Sequence, residues 1–265
     1  HLATVKPKKS PTDCGSARPG AWVCSWFEFR QGLGLLLDSV GLLNIMNEPI
    51  KVDIWSDVAC PWCYIGKRHL EAALDLFHEA HPDQATPEIE WSAFQLNPTM
   101  PIEGMDRETY VATKFGGNRD AIMDRMTAAG LNAGIAFQFD GIQKQPNTLA
   151  LHALIAAADT QGQQTAIVER LFQANFLEGI DLTDGPAIIA LMTPLGLSPE
   201  VIADCLDTQG TPQANASATD AHWRSLQVQG VPLFVFDRQW AVSGAQPPDA
   251  LAQAMTHALA QRTEN

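Results

Sequence analysis

The run Cys60-Pro61-Trp62-Cys63 stands where one hydrophobic period gives way to another, and that junction leaves the local fold few choices. Before it, Ile50, Val52 and Ile54 alternate with Lys51 and Asp53, the period of a strand. After it, Leu70, Ala73, Leu74 and Phe77 recur at helical offsets, and His81-Pro82 ends the helix. Ile89, Trp91 and Ala93 then alternate with Glu88, Glu90 and Ser92. Strand, helix, strand is the βαβ context in which a Cys-x-x-Cys reads as redox-active.

The chemistry fits that placement. A thiol attacks as its thiolate, and the unpaired N–H groups at a helix N-terminus favour negative charge. Cys60 takes that position, and Pro61 fits the first turn without losing a needed donor. Cys63 faces the same side one turn deeper, in reach of a mixed disulfide formed at Cys60. Five cysteines scattered over 265 residues would give some Cys-x-x-Cys roughly one time in ten, so the flanking periods are needed to give the spacing weight. A zinc site would need two further ligands. The sequence has no second Cys-x-x-Cys, and His69, His78 and His81 lie down the same helix, mostly turned from its start. No metal, flavin or nucleotide is required; glutathione is a possible co-substrate.

Composition narrows the partners. With 46% apolar residues the chain can bury a large core, and a formal charge of -13 repels phosphate backbones and anionic lipid, so neither nucleic acid nor membrane is an expected partner. Protein or small-molecule thiols and disulfides are, while the oligomeric state is left open. Five cysteines are too few for a disulfide-built secreted scaffold. The one leader-like stretch, Gly32-Leu-Gly-Leu-Leu-Leu37, is interrupted by Asp38 and lies far from Lys6, Lys8 and Lys9, so a cytoplasmic protein is expected. Residues 1–45 are Gly-rich and slightly basic, with five Lys and Arg against three Asp and Glu. They read as a leader, an expression remnant or an over-extended reading frame before a start at Met46, and Cys14 and Cys24 as incidental thiols.

From about Met100 to Gln229 the pattern is mostly helical, broken at Gly116-Gly117, Gly130, Gly162, Gly179 and Gly196. Leu149 to Ala158 is apolar nearly all round and predicts a helix at the centre of a bundle, capped by Asn147 or Thr148. Further helices are predicted from Asp106, Arg119, Thr165, Pro186 and Pro199. Strand character returns in Leu233–Phe236 and Trp240–Val242, joined tightly by Asp237-Arg238-Gln239 as a hairpin. Pro247-Pro248 introduces a last helix with Leu251, Met255, Ala258 and Leu259 on one face. Gly230-Val231-Pro232 marks a special turn before the hairpin; the residues alone leave the isomer open, with trans as the default.

These blocks resemble the DsbA-like branch of the thioredoxin superfamily, particularly its cytoplasmic FrnE-type oxidoreductases. The resemblance rests on Val52-Asp-Ile-Trp-Ser-Asp-Val-Ala-Cys-Pro-Trp-Cys-Tyr-Ile-Gly-Lys67, on Phe94-Gln-Leu-Asn-Pro98, on Gln145-Pro-Asn-Thr148, and on Gly230-Val-Pro232 with Val242-Ser-Gly-Ala-Gln246. It implies an α/β thioredoxin-like fold, a central mixed sheet flanked by helices, interrupted by a large all-helical insertion. The implied parts are 46–100 and 210–265 for the two pieces of the thioredoxin-like domain and 101–209 for the insertion. The resemblance further implies disulfide exchange with Cys60 as nucleophile and Cys63 resolving. It also implies a cis Pro232 beside both cysteines, and a substrate groove formed by Pro61, Trp62, Val231 and Pro232. Glutathione-using relatives, the kappa-class transferases and 2-hydroxychromene-2-carboxylate isomerases, typically carry serine where Cys60 stands. A glutathione-dependent isomerase or transferase therefore stays as the alternative, and a non-catalytic binding module as a third reading.

Other residues have plainer readings. Asp57 reads as a turn or cap residue, with proton transfer as its functional alternative. Asn147 reads equally as a cap or a ligand contact. Cys205 reads as a small buried hydrophobe beside Val201 and Ile202. His152 reads as a hydrogen-bonded core histidine, and Lys67 and Arg68 as a solvated helix face that could otherwise attract an anionic thiol.

Overall fold

The computed structural model describes residues 48–262. The readings of the stretch before Met46, with Cys14 and Cys24, lie outside the described residues.

Strand β1, Lys51–Ser56, runs parallel to β2, Glu88–Ala93, and antiparallel to β5, Leu233–Phe236, which pairs antiparallel with β6, Trp240–Ser243. The sheet order is β2-β1-β5-β6. Register decides which side chains meet: Val52 lies opposite Phe236 and Ile54 opposite Phe234, so all four point to one face. There they join Leu70, Ala73 and Phe77 of helix α1, Pro61–Ala80, and Leu251 and Met255 of helix α9, Pro248–Gln261. The four apolar positions predicted for the last helix, Leu251, Met255, Ala258 and Leu259, are all buried.

The hairpin between β5 and β6 turns through Asp237 and Arg238, whose φ angles of 49° and 58° are left-handed. Asp tolerates this better than Arg. The Asp237 carboxylate secures the turn by accepting from Lys51 N (3.0 Å) and from Nε and Nη2 of Arg262 (2.7 Å each).

Seven helices lie in sequence between β2 and β5: α2 Arg107–Phe115, α3 Arg119–Asn132, α4 Leu149–Ala156, α5 Gln161–Phe176, α6 Gly185–Met192, α7 Pro199–Leu206 and α8 Thr211–Ser225. A two-residue ladder also pairs β3, Met105–Asp106, with β4, Lys144–Gln145. Helix α4 is buried, as its all-apolar sequence predicts, but it ends at Ala156 rather than Ala158. Helix α5 starts four residues before Thr165. Thr160 is its N-cap and accepts from Gln163 N at 3.1 Å, a signal that the polar run Gln161–Gln164 obscures. Helix α8 carries no apolar stripe: its buried face is Gln213, Ala216 and Asp220, and it packs along α4.

The helices grip α1 through aromatic rings. Tyr64 stacks on Phe172 of α5 with centroids 4.9 Å apart, and Phe137 and Phe176 close around it. The first turns of α1, where the cysteines sit, are thus held by the sheet on one side and by α5 on the other.

Candidate active site

Cys60 is the N-cap of α1, in an extended conformation, and Pro61 opens the helix. The Cys60 N–H donates to Asp57 O at 3.0 Å, and its carbonyl accepts from Cys63 N (3.0 Å) and Tyr64 N (3.4 Å). The Cys60 side chain makes no cap bond, so these backbone bonds lead the chain into the helix. Both thiols are free and buried, Cys60 at 4% exposure and Cys63 at 1%.

From far along the chain, the loop before β5 meets this turn. The Cys60 thiol lies 3.8 Å from the carbonyl oxygen of Val231, and the Val231–Pro232 peptide bond is cis. Pro232 O accepts from Gly244 N at 2.8 Å, which ties the loop to the hairpin. Helix α1 passes this loop at Gly66, where a Cβ would stand 2.9 Å from Pro232 Cγ and 3.2 Å from Phe234 Cζ. Any side chain at 66 would push the loop from the thiols.

The two cysteines differ in depth. Burial pushes the Cys63 thiol well above the ordinary thiol range, and its hydrogen bond with Cys60 acts in the same direction. The Asp57 backbone N–H and the Ser56 hydroxyl oppose this more weakly.

Asp57 is buried, and its two carboxylate oxygens accept from Ala59 N (3.1 Å) and Leu96 N (2.6 Å). It braces the redox turn against the segment leaving β2, which is a loop role. His152 of α4 is equally buried, and its Nε2 stands 3.8 Å from Asp57 Oδ1 without a hydrogen-bond partner. Burial lowers the His152 pKa in spite of Asp57 and Asp220, so the ring is neutral at pH 7. Asp220 accepts from Gln95 N (2.8 Å) and from Arg224 Nε (2.7 Å), which fixes the same segment from the side of α8.

Two expectations need correction. Lys67 is not part of a solvated face: it is buried, paired with Glu71 and lies 2.7 Å from Glu169 of α5. Arg68 pairs with the same two carboxylates at 2.7 and 2.5 Å, and its guanidinium also donates to the Tyr64 hydroxyl at 3.0 Å. No positive rim is left there, because α5 brings in a carboxylate that α1's own sequence could not announce. Val201 does not share the buried face of Cys205; it is exposed, whereas Ile202 and Cys205 are enclosed. Burial pushes the Cys205 thiol up to about 11. Thr148 is the N-cap of α4 and makes no side-chain cap bond; Asn147, one residue earlier, accepts from Leu149 N (2.9 Å) and donates to Met100 O (2.7 Å), a bracing role.

Burial opposes the Glu169 charge, but hydrogen bonds and the charges of Lys67 and Arg68 outweigh it and hold the carboxyl below the usual range. A depressed folded pKa contributes stability above the unfolded value of about 4.3, lost as pH falls through the folded value. Stability is therefore expected to drop below about pH 4.3, and Glu169→Gln to flatten that acid limb. Urea midpoints of parent and variant between pH 7 and 3 read it; parallel curves would refute it.

Trp62 is half-buried beside the thiols, and the guanidinium of Arg125 from α3 lies over its ring, 5.6 Å from the centroid. Neither Arg125 nor Glu169 was legible as a site residue, since each arrives from a helix remote in sequence.

A family model described as a DSBA-like thioredoxin domain matches residues 51–256. Among solved structures, one described as a "probable DsbA oxidoreductase" from Streptomyces coelicolor is 29% identical, with a TM-score of 0.70, covering 80% of this chain and 91% of its own. A 2-hydroxychromene-2-carboxylate isomerase is 16% identical with a TM-score of 0.60, covering 81% and 98%. The cytosolic disulfide reductase DsbM from Pseudomonas aeruginosa, solved with GSH, is 20% identical with a TM-score of 0.54, covering 79% and 99%. The last two likenesses concern the fold alone.

Proposed function

We propose that this chain, which belongs to the DSBA-like thioredoxin domain family, is a thiol–disulfide oxidoreductase acting through Cys60 and Cys63. One observation carries the reading: two free thiols at the start of α1, with the Cys60 thiol 3.8 Å from the carbonyl that precedes Pro232. Val231 then offers backbone to a substrate chain, and Pro61, Trp62 and Pro232 line its path.

The reaction balances as two exchanges. Cys60 thiolate attacks one sulfur of a disulfide RSSR, forming Cys60–S–S–R and releasing RS⁻, which takes a proton from solvent. Cys63 gives up its proton and attacks the Cys60 sulfur; the Cys60–Cys63 disulfide forms and the second RS⁻ leaves and is protonated. Two electrons pass from the cysteine pair to the substrate, and the reverse sequence oxidises a dithiol.

The difference in depth supports these roles. Cys63 lies deeper and its thiol holds its proton, which suits a group that acts only after a mixed disulfide has formed beside it. The FrnE type and a cytoplasmic place belong to the same proposal, supported by the motif blocks and by the fold shared with cytosolic DsbM.

Replacing Cys63 by Ala is expected to trap the adduct on Cys60, visible by intact mass after incubation with a disulfide. A Cys63→Ala protein that captures no thiol where the parent turns over would remove the mechanism. In the parent, the second step should accelerate with pH, up to about tenfold per unit while the pH lies below the Cys63 pKa, which burial keeps raised. Single-turnover release of the second thiol at several pH values measures this, and a flat profile counts against Cys63 as the resolving group.

A further inference from the structure

Arg125 is set apart from the other described arginines. Arg68, Arg119, Arg170, Arg224, Arg238 and Arg262 each face a carboxylate, and Arg107 bonds the side chain of Gln145. Arg125 is exposed, and among the described residues its one contact of this kind is the face of Trp62. Its own helix offers no relief: the positions three and four away are Ala121, Ile122, Ala128 and Ala129, none able to pair with it. Against a formal charge of -13, this cation, with no carboxylate partner among the described residues, stands against the tryptophan inside the redox motif.

A guanidinium over an indole is held by the ring's electrons through its face. Its N–H groups lie in its own plane and remain free to meet a carboxylate with two parallel hydrogen bonds. Trp62 stands two residues after Cys60, so the cation over its ring lies beside the redox motif.

We propose that Arg125 is a specificity-determining residue of the redox site, and that the partner of Cys60 is a small thiol or disulfide bearing a carboxylate, of which glutathione is the probe. This rests on the exchange function proposed above and narrows its substrate class. The anionic partner is drawn to a local positive charge within a repulsive overall field, so the preference weakens with salt.

The test measures the rate at which the reduced full-length protein is oxidised by three disulfides: glutathione disulfide (anionic), hydroxyethyl disulfide (neutral) and cystamine (cationic). Quenching with an alkylating reagent and intact mass give the rates for parent, Arg125→Lys, Arg125→Ala and Arg125→Glu. Relative to hydroxyethyl disulfide, Arg125→Glu is expected to slow glutathione disulfide about threefold to tenfold and to speed cystamine, with the contrast shrinking as salt is raised. Arg125→Lys should retain part of the preference. A urea midpoint close to the parent's shows that each variant keeps its fold. If parent and Arg125→Glu oxidise with the same ratios across the three disulfides, the assignment of Arg125 is overturned while exchange itself stands. If the parent is oxidised by none of them, the exchange function fails and this inference fails with it.

Discussion

A Cys60→Ser protein is expected to lose disulfide exchange by about a thousandfold or more while unfolding at nearly the parent's denaturant concentration. The hydroxyl occupies almost the same space, and the sulfur makes one polar contact outside its own turn, with Val231 O at 3.8 Å, so little folding free energy depends on it. An alcohol is scarcely ionised at neutral pH and cannot form the mixed disulfide, so the first step has no nucleophile. Cys63 cannot replace it, being deeper and holding its proton against a raised pKa. Turnover of a glutathione–protein mixed disulfide and of a peptide disulfide would be measured for parent and variant. Activity that survives in Cys60→Ser would favour the isomerase or transferase reading, in which the thiols are secondary.

The largest expected effect on stability falls on Asp57. Asp57→Ala should destabilise the reduced protein by about 3–5 kcal/mol, because a buried carboxylate that satisfies two backbone N–H groups disappears and Ala59 N and Leu96 N lose their acceptor. That is a large part of the 5–15 kcal/mol typical of a domain. Asp57→Asn should fall between, since an amide oxygen can serve one N–H while its NH2 faces the other, donor to donor. Urea unfolding monitored by tryptophan fluorescence gives the three midpoints. A loss under about 1 kcal/mol in Asp57→Ala would show that water or a backbone shift satisfies those groups, and that Asp57 does not brace the turn.

The parts of the molecule that were legible in the sequence are those built by local hydrophobic period. The alternation around Val52 and Ile54, the stripe through Leu70, Ala73 and Phe77 and the face of α9 bury the residues their spacing selects, while of the hairpin Phe234 and Phe236 are buried and Trp240 is exposed. Elements built by polar burial were not. Helix α8 packs through Gln213, Ala216 and Asp220, and a helix whose inner face is polar has no apolar period to detect. Lys67 shows the same limit from the other side: local sequence marks it as surface, and only Glu169, brought up by α5, makes its burial tolerable. Within the site, Cys60 and Cys63 followed from spacing and context. The meeting of Cys60 with Val231 came from family resemblance, because no local rule joins residues separated by the whole helical insertion. Arg125 had no signal: its meaning lies in the partners it lacks, which only the fold reveals.

The separation of 171 residues from Cys60 to Val231 also has a consequence in time. Ribosomes make the chain from its N-terminus at about 5–20 residues per second, so roughly 10–30 s pass between synthesis of the thiols and of the wall that faces them. During that interval the nascent chain carries the CPWC without the loop that selects its partner, and discrimination is acquired only as translation finishes. Pulse alkylation of ribosome-stalled chains tests this: thiols as protected at every length as in the finished protein would show that the early segment shields itself.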